Sequence, residues 1–165
     1  MKITTQLAAL GTTVLAASML AVTPAHATIT TVTVTVPADI APPGISVMHV
    51  IQGDTITISA NGSAQYGYQG APPCGPGYPV VYPDGSEYLN GVSCGKVLAG
   101  QGAPLPNQPV GELLHRISPD GGWAPAGFSI TFTAGRTGTL YLIFNDSVYS
   151  DNSGHYTVTV TDNSG

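Results

Sequence analysis

The stretch LYLIFNDSVYSDNSGHYTV, residues 140–158, carries two strand-like patterns on either side of a polar loop. Its first part places Leu140, Leu142 and Phe144 on one face of a strand and two more large apolar side chains on the other, which predicts burial on both sides. Its last part places Tyr156 and Val158 on one face of a second strand. A polar loop separates the two parts. The stretch therefore predicts two β-strands joined by a loop rich in Asn, Asp and Ser.

Similar alternation between apolar and polar residues marks other segments as strands. The predicted strands are residues 29–36, 45–51, 55–60, 128–133, 139–145 and 155–161. We interpret Gln52-Gly53-Asp54 as a tight hairpin turn between the second and third of them. No stretch shows convincing helical periodicity, and residues 111–117 are too few to decide. The pattern predicts an all-β fold, a two-sheet antiparallel β-sandwich of the jelly-roll type.

The first 27 residues are interpreted as a secretory signal peptide. They begin with Lys2, continue through an apolar run over residues 7–22 and end at Ala25-His26-Ala27, the pattern of a cleavage site near Ala27. The apolar run is shorter than the roughly 20 residues that a membrane-spanning helix needs. We therefore expect a secreted protein, extracellular or periplasmic, whose residues 28–165 form a single β-sandwich domain.

The mature chain is acidic and poor in cations. It holds three basic residues, Lys96, Arg116 and Arg136, against nine acidic ones, which leaves a net charge of −6. Such a surface releases few phosphate counterions, so the composition argues against nucleic acid and anionic membranes as partners. Neutral polymers and cations are the partners that this composition favours.

The two cysteines, Cys74 and Cys94, both lie in the mature chain. In an oxidising compartment they predict one disulfide, and the alternative is a pair of buried free thiols. They belong to a proline-rich segment, residues 67–110, which we expect to be largely irregular.

Tyrosines concentrate in and beside this segment. Five of the chain's eight are here, namely Tyr66, Tyr68, Tyr78, Tyr82 and Tyr88. Tyrosine combines an apolar face with a polar tip, which suits a sugar ring whose C–H face stacks while its hydroxyls hydrogen-bond. The alternative is that these rings only cover the edge of the sandwich.

The polar loop within residues 140–158 is the strongest candidate site. A loop that returns to a neighbouring strand brings its ends together, so Asp146, Asp151 and Asn152 are expected to converge. Two carboxylates and an amide oxygen are the hard ligands that Ca²⁺ prefers, and backbone carbonyls commonly complete its shell. The alternative is a hairpin loop in which these side chains only cap turns.

Residues 140–158 also resemble the C-terminal part of the PA-I-type galactophilic lectins, calcium-dependent bacterial lectins with a galactose-binding-domain-like β-sandwich. The shared features are an aromatic-Asn-Asp run, a short loop, a pair of polar residues before Ser-Gly, and a final strand. GDTITISANGSAQYG, residues 53–67, resembles an earlier part of the same family. Residues 111–117 resemble the strand before its last hairpin.

The resemblance implies a ligand set for calcium. Asp146, Asp151 and Asn152 would bind through their side chains, and Tyr66 and Val148 through their backbone carbonyls. Asp151 stands where the lectin has an asparagine, which removes an amide donor that a sugar could use.

The resemblance also implies carbohydrate as the partner, of galactose type or a longer glycan. Tyr66, Asp146 and Asp151 would contact it at the ion. Tyr82-Pro83-Asp84-Gly85 stands nearest to a His-Pro-Asp-Gln segment of the lectin, which makes Tyr82 and Asp84 the expected outer contacts. Because the lectin's His and Gln are missing, we expect simple galactose to bind weakly.

The sequence does not predict an enzyme. Residues 91–95 fit the G-x-S-x-G pattern, but the strand and helix that this motif needs are not predicted around it. No residue is assigned a catalytic role. Related modules accompany secreted glycoside hydrolases, so an accessory domain in such a system is one alternative. Another is an extracellular structural or interaction module in which calcium acts only as a clamp.

Overall fold

The computed structural model describes residues 28–67 and 77–165, which form eleven β-strands. The strands are β1 Thr28–Pro37, β2 Ile45–Val50, β3 Thr55–Gln65, β4 Val80–Val81, β5 Glu87–Leu89, β6 Val92–Gly95, β7 Leu113–Ser118, β8 Ala124–Pro125, β9 Ser129–Thr133, β10 Gly138–Phe144 and β11 Ser153–Ser164. This part of the chain contains no helix, and hence none that could span a membrane. The predicted signal peptide, Tyr68 and Cys74 lie outside the described residues.

The strands form two antiparallel sheets. The larger has seven strands in the order β1-β11-β3-β4-β5-β6, with β9 pairing with the first half of β3. The smaller has four, in the order β2-β10-β7-β8. The predicted all-β, two-sheet antiparallel architecture is confirmed.

The hydrophobic core lies between the sheets. Leu140, Leu142 and Phe144 of β10 are fully buried in it, together with Ile58 of β3 and Tyr156 of β11. The opposite face of β10 is covered as well, since Ile143 is only 1% exposed. The prediction that this strand is buried on both sides is therefore confirmed at Ile143, while Tyr141 on the same face is half-buried.

The predicted hairpin at Gln52-Gly53-Asp54 is wrong. Strand β2 pairs with β10 in the smaller sheet, whereas β3 pairs with β11 and β9 in the larger one. The turn therefore crosses between sheets, and Asp54 stabilises it by accepting the Ile51 N–H at 2.7 Å. A local turn signal does not reveal which sheet the next strand joins, because that depends on pairing with distant residues.

The loop between β10 and β11 also crosses between the sheets instead of joining hydrogen-bonded neighbours. Its two ends still meet at the end of the sandwich where β3 stops, because β11 begins by pairing Ser153 with Gln65. The segment over residues 67–110 is more regular than expected, since β4, β5 and β6 extend the larger sheet. These strands have two to four residues each, too few to show alternation in the sequence.

Candidate functional site

A pocket of about 240 Å³ opens at the end of the sandwich where β3 and β10 stop and β11 begins. Its lining residues come from four separate parts of the chain, namely Tyr66, Gly67, Val97, Val110, Asp146, Val148 and Asp151. We call it the Asp146 pocket. The structure thus brings together Tyr66, Asp146, Val148 and Asp151, four of the five residues assigned to calcium from the sequence.

Asn145 fixes the start of the loop. It is completely buried, and its Nδ2 donates hydrogen bonds to the carbonyls of Leu105 and Pro109, both at 3.0 Å. Its Oδ1 accepts the Leu105 N–H at 3.1 Å. Every polar atom of this side chain is therefore used to hold a distant loop against the end of β10. Asp146, the next residue, is positioned by this anchor.

Asp146 is a buried carboxylate with only local donors. It is 8% exposed, and its Oδ1 accepts the backbone N–H of Ser147 at 2.6 Å and that of Val148 at 3.4 Å. Burial raises the pKa of Asp146, and Asp151 adds to the increase, while hydrogen bonds from Asn152 and the two amides oppose it. Asp146 and Asp151 are thus close enough for their charges to repel, an arrangement that a bound cation would relieve.

Asp151 is exposed and lies directly against Gly67. A Cβ atom at residue 67 would clash with the Asp151 carboxylate, so only glycine permits this close approach. The glycine therefore allows the second carboxylate to reach the rim of the Asp146 pocket.

Asn152 supplies the most informative atom of the site. The residue is 9% exposed, and its Nδ2 donates to the Ala38 carbonyl at 3.0 Å, which fixes the side chain to the end of β1. Its Oδ1 is buried and has no hydrogen-bond partner among the described residues. The same side chain also hydrogen-bonds the Asp146 carboxylate, and only its Nδ2 can donate, so the Asn152 amide lies beside that carboxylate. A buried acceptor without a donor is costly, and a cation would satisfy it.

Tyr66 and Val148 reach the pocket in different ways. The Tyr66 ring is 5% exposed, and its hydroxyl donates to Glu87 Oε1 at 2.9 Å, so the hydroxyl is directed into the protein. Val148 is 51% exposed on the loop, and its neighbour Tyr149 has its carbonyl occupied by the Asn152 N–H at 3.3 Å. Both Tyr66 and Val148 line the pocket.

The donor set fits calcium. Its side chains supply two carboxylates and an amide oxygen without a partner among the described residues, all of them hard oxygen ligands. Within residues 28–67 and 77–165, no cluster of three or more His, Cys, Asp or Glu side chains forms. A cation at this site would therefore need neutral oxygens in addition to the two carboxylates.

The other two sequence-predicted contacts, Tyr82 and Asp84, lie elsewhere. They line a pocket of about 430 Å³ together with Ser86, Tyr88 and Phe128. We call it the Tyr88 pocket, and it shares no lining residue with the Asp146 pocket. Tyr66, Asp146 and Asp151 are thus separated from Tyr82 and Asp84, which the sequence had grouped with them.

Sequence reasoning missed three residues that shape the Asp146 pocket: Gly67, Glu87 and Asn145. Glu87 is 2% exposed and accepts hydrogen bonds from the Tyr66 hydroxyl and the Val97 N–H. Burial raises the pKa of Glu87, and those two hydrogen bonds oppose the increase. Only Asn145 has a local signal, its place before Asp146. The other two depend on long-range contacts.

Cys94 of β6 is buried. Its proposed partner Cys74 lies outside the described residues, so the disulfide stays a prediction.

Comparison with known proteins supports the fold. A solved structure described as the EclA N-terminal domain, a PllA-like lectin, is similar to this chain with a TM-score of 0.51 and 24% identity. The match covers 79% of this chain and 94% of that chain. The protein has a lectin-like β-sandwich fold. The chain matches no protein-family model and no curated protein.

Proposed function

We propose that this chain is a secreted, calcium-dependent carbohydrate-binding protein whose ion lies in the Asp146 pocket. The observation that carries the proposal is the buried Oδ1 of Asn152, which has no hydrogen-bond partner among the described residues and belongs to an amide that hydrogen-bonds the Asp146 carboxylate. Turn capping alone accounts for the Asp146 contacts with Ser147 and Val148. It leaves the Asn152 oxygen unexplained, whereas a hard cation accounts for all three side chains.

In this proposal Asp146, Asp151 and Asn152 bind calcium through side-chain oxygens, and Tyr66 and Val148 through carbonyls. The bound ion would coordinate sugar hydroxyls directly and thereby fix the orientation of the ring. Asp151 would accept hydrogen bonds from further hydroxyls.

Accessibility favours a ligand-binding ion over a structural clamp. Asp151 and Val148 are exposed, so the pocket opens to solvent on the side of the loop. A neighbouring depression of about 310 Å³ is lined by Gln65, Tyr78 and Ser153 as well as by Asp151. The Tyr78 ring is 48% exposed there, within reach of a saccharide that extends past the ion. The fold shared with a PllA-like lectin supports the same choice.

The same features suggest which sugars bind. Tyr82 and Asp84 line a different pocket, and Asp151 lacks the amide N–H of the lectin residue that it replaces. A single galactose would therefore have few contacts beyond the ion. We propose that a different or longer saccharide, one that reaches Tyr78, is the preferred ligand, and that binding rather than catalysis is the role of the chain.

A glycan array probed with the mature protein tests this function. Binding should occur in calcium, disappear in a chelator and return when calcium is restored. A protein that binds no glycan at any calcium concentration would contradict the proposal and leave the structural clamp as the better account.

The proposed secretion of the chain can be tested separately. If the chain is exported, Cys74 and Cys94 meet an oxidising environment and should form a disulfide. Mass spectrometry of the unreduced, exported protein should show a chain that starts near Thr28 and lacks two hydrogens. Two free thiols in freshly exported protein would contradict the disulfide.

A further inference from the structure

We propose that the Tyr88 pocket is a second saccharide-binding site, which holds one face of a neutral sugar ring and needs no metal ion. It is separate from the calcium site in position and in chemistry. The proposal depends on the aromatic side chains of this pocket, its polar groups and its rigid backbone.

Three aromatic rings surround the pocket. Tyr82 meets Tyr88 edge to face, with ring centroids 5.6 Å apart and an interplanar angle of 85°. Phe128 lies on the other side of Tyr82 at 6.3 Å with a tilt of 36°. Tyr88 and Phe128 remain 38% and 46% exposed, although large aromatic side chains are normally covered. Exposed ring faces in a concave site are suited to the C–H face of a pyranose.

Polar groups stand beside these rings. Asp84 Oδ1 accepts hydrogen bonds from the Ser86 N–H at 3.0 Å and the Ser86 hydroxyl at 2.6 Å. Burial would raise the pKa of Asp84, but the hydrogen bonds from Ser86 and the nearby Lys96 outweigh it, so this pKa is lowered. The carboxylate is therefore ionised at neutral pH and can accept hydrogen bonds from sugar hydroxyls.

The pocket is built on a rigid turn. The Gly85 N–H donates to the Tyr82 carbonyl at 2.8 Å, and the Tyr82 N–H to the Ser86 carbonyl at 3.0 Å. Gly85 has a φ of +73°, and a Cβ there would clash with Pro109. The rings and the carboxylate are thus held in place before a ligand arrives, which lowers the entropic cost of binding.

Strand alternation separates this pocket from the calcium site. Glu87 of β5 is buried and bonds to Tyr66 and Val97, which line the Asp146 pocket. The next residue, Tyr88, is on the opposite face of the same strand and lines its own pocket. One sugar ring cannot occupy both sites.

Charge favours a neutral ligand here. A ring of aromatic side chains beside a carboxylate can also bind a quaternary ammonium ion. In this pocket, however, the Asp84 carboxylate already has a cation, because Lys96 Nζ lies 3.5 Å from Oδ2 and donates to the Asp84 carbonyl at 2.6 Å. The paired charge reduces the attraction for a second cation, and the mixture of donors and acceptors suits hydroxyls.

The test uses neutral hexasaccharides of glucose, galactose, mannose and xylose, titrated against the mature protein in chelator. Saturation-transfer NMR, recorded well below the melting temperature, should detect binding of at least one of them. Tyr88→Ala and Phe128→Ala should each weaken it on the order of tenfold, because each removes one ring contact. Tyr88→Phe keeps the ring and should bind within threefold of the wild type.

Two controls separate this site from the calcium site. Ile29→Ala truncates an apolar side chain on β1 that is 67% exposed, and it should leave binding unchanged. Asp146→Asn should also leave the chelator-resistant binding unchanged, even where it abolishes the calcium-dependent component. The proposal is overturned if no hexasaccharide binds in chelator, if binding survives Tyr88→Ala and Phe128→Ala, or if choline binds there in preference to the sugars.

Discussion

The Asp146 pocket and the Tyr88 pocket differ in the groups that they offer to a ligand. The first contains buried oxygens, one of them without a donor, and two carboxylates that repel each other. The second contains exposed aromatic rings beside a carboxylate whose charge is already paired with Lys96. We propose that the first holds a neutral ligand through a bound cation, whereas the second offers apolar faces and hydrogen bonds directly. The two pockets would therefore select ligands through different interactions, namely coordination by an ion in the first and contact with aromatic rings in the second.

Consecutive residues of one strand contribute to the two different pockets. Glu87 and Tyr88 are consecutive, yet one is buried behind the Asp146 pocket and the other faces solvent in the Tyr88 pocket. A change at either residue should therefore affect one pocket and spare the other.

The largest effect is expected from Asp146→Asn. The substitution keeps the oxygen that accepts the Ser147 N–H but removes the charge that a cation needs. Calcium affinity should fall on the order of 100-fold or more, and calcium-dependent glycan binding should be lost with it. Calorimetric titration of calcium and of a glycan identified on the array would measure both. Asp120→Asn, at an exposed aspartate in the loop after β7, is the matched control and should change neither.

An intermediate effect is expected from Gly67→Ala. The added Cβ would occupy the space of the Asp151 carboxylate and displace one ligand from the rim. We expect calcium affinity to fall by about tenfold, with binding at the Tyr88 pocket unchanged. Gly135→Ala is the control, since a Cβ there would meet nothing within 4 Å. An unchanged calcium affinity in Gly67→Ala would show that Asp151 is not a ligand.

The smallest effect is expected from Glu87→Gln, and it depends on pH. The folded-state pKa of Glu87 is raised above its ordinary value of 4.5, so the ionised form destabilises the fold. This destabilisation appears as the pH rises from about 4.5 through the raised pKa and is fully present above it. The amide avoids the charge and keeps an acceptor for the Tyr66 hydroxyl.

In chelator, the melting temperature of Glu87→Gln should therefore exceed that of the wild type by more at pH 7 than at pH 4. The expected change in melting temperature is a few degrees. Equal melting-temperature differences at the two pH values would show that Glu87 does not titrate in this range. Saccharide binding at the Tyr88 pocket should be the same in both proteins.

The sequence predicts the features that depend on neighbouring residues. The alternation of Leu140, Leu142 and Phe144 identifies a buried strand, because side-chain direction in a strand repeats every two residues. The grouping of Asp146, Asp151 and Asn152 follows from their places within one loop, and the structure gathers them.

Other features depend on residues far apart in the chain. The turn at Gln52-Gly53-Asp54 has the composition of a hairpin, and only the pairing of β2 with β10 shows that it changes sheets. Phe128 meets Tyr82 across the fold, so no local pattern predicts the Tyr88 pocket. The role of Gly67 likewise depends on Asp151, a residue from another part of the sequence.

Calcium titration of the metal-free mature protein shows whether the Asp146 pocket holds an ion. Calorimetry should show one ion bound per chain, and magnesium should not replace it, because Mg²⁺ demands near-octahedral geometry and gives up its water ligands reluctantly, whereas Ca²⁺ accepts irregular sets of oxygen ligands. At a free calcium concentration about 100 times the dissociation constant, the free energy of unfolding should rise by about 2.7 kcal/mol. If calcium produces no binding isotherm and leaves the melting temperature unchanged, the Asp146 pocket does not bind calcium and the account is wrong.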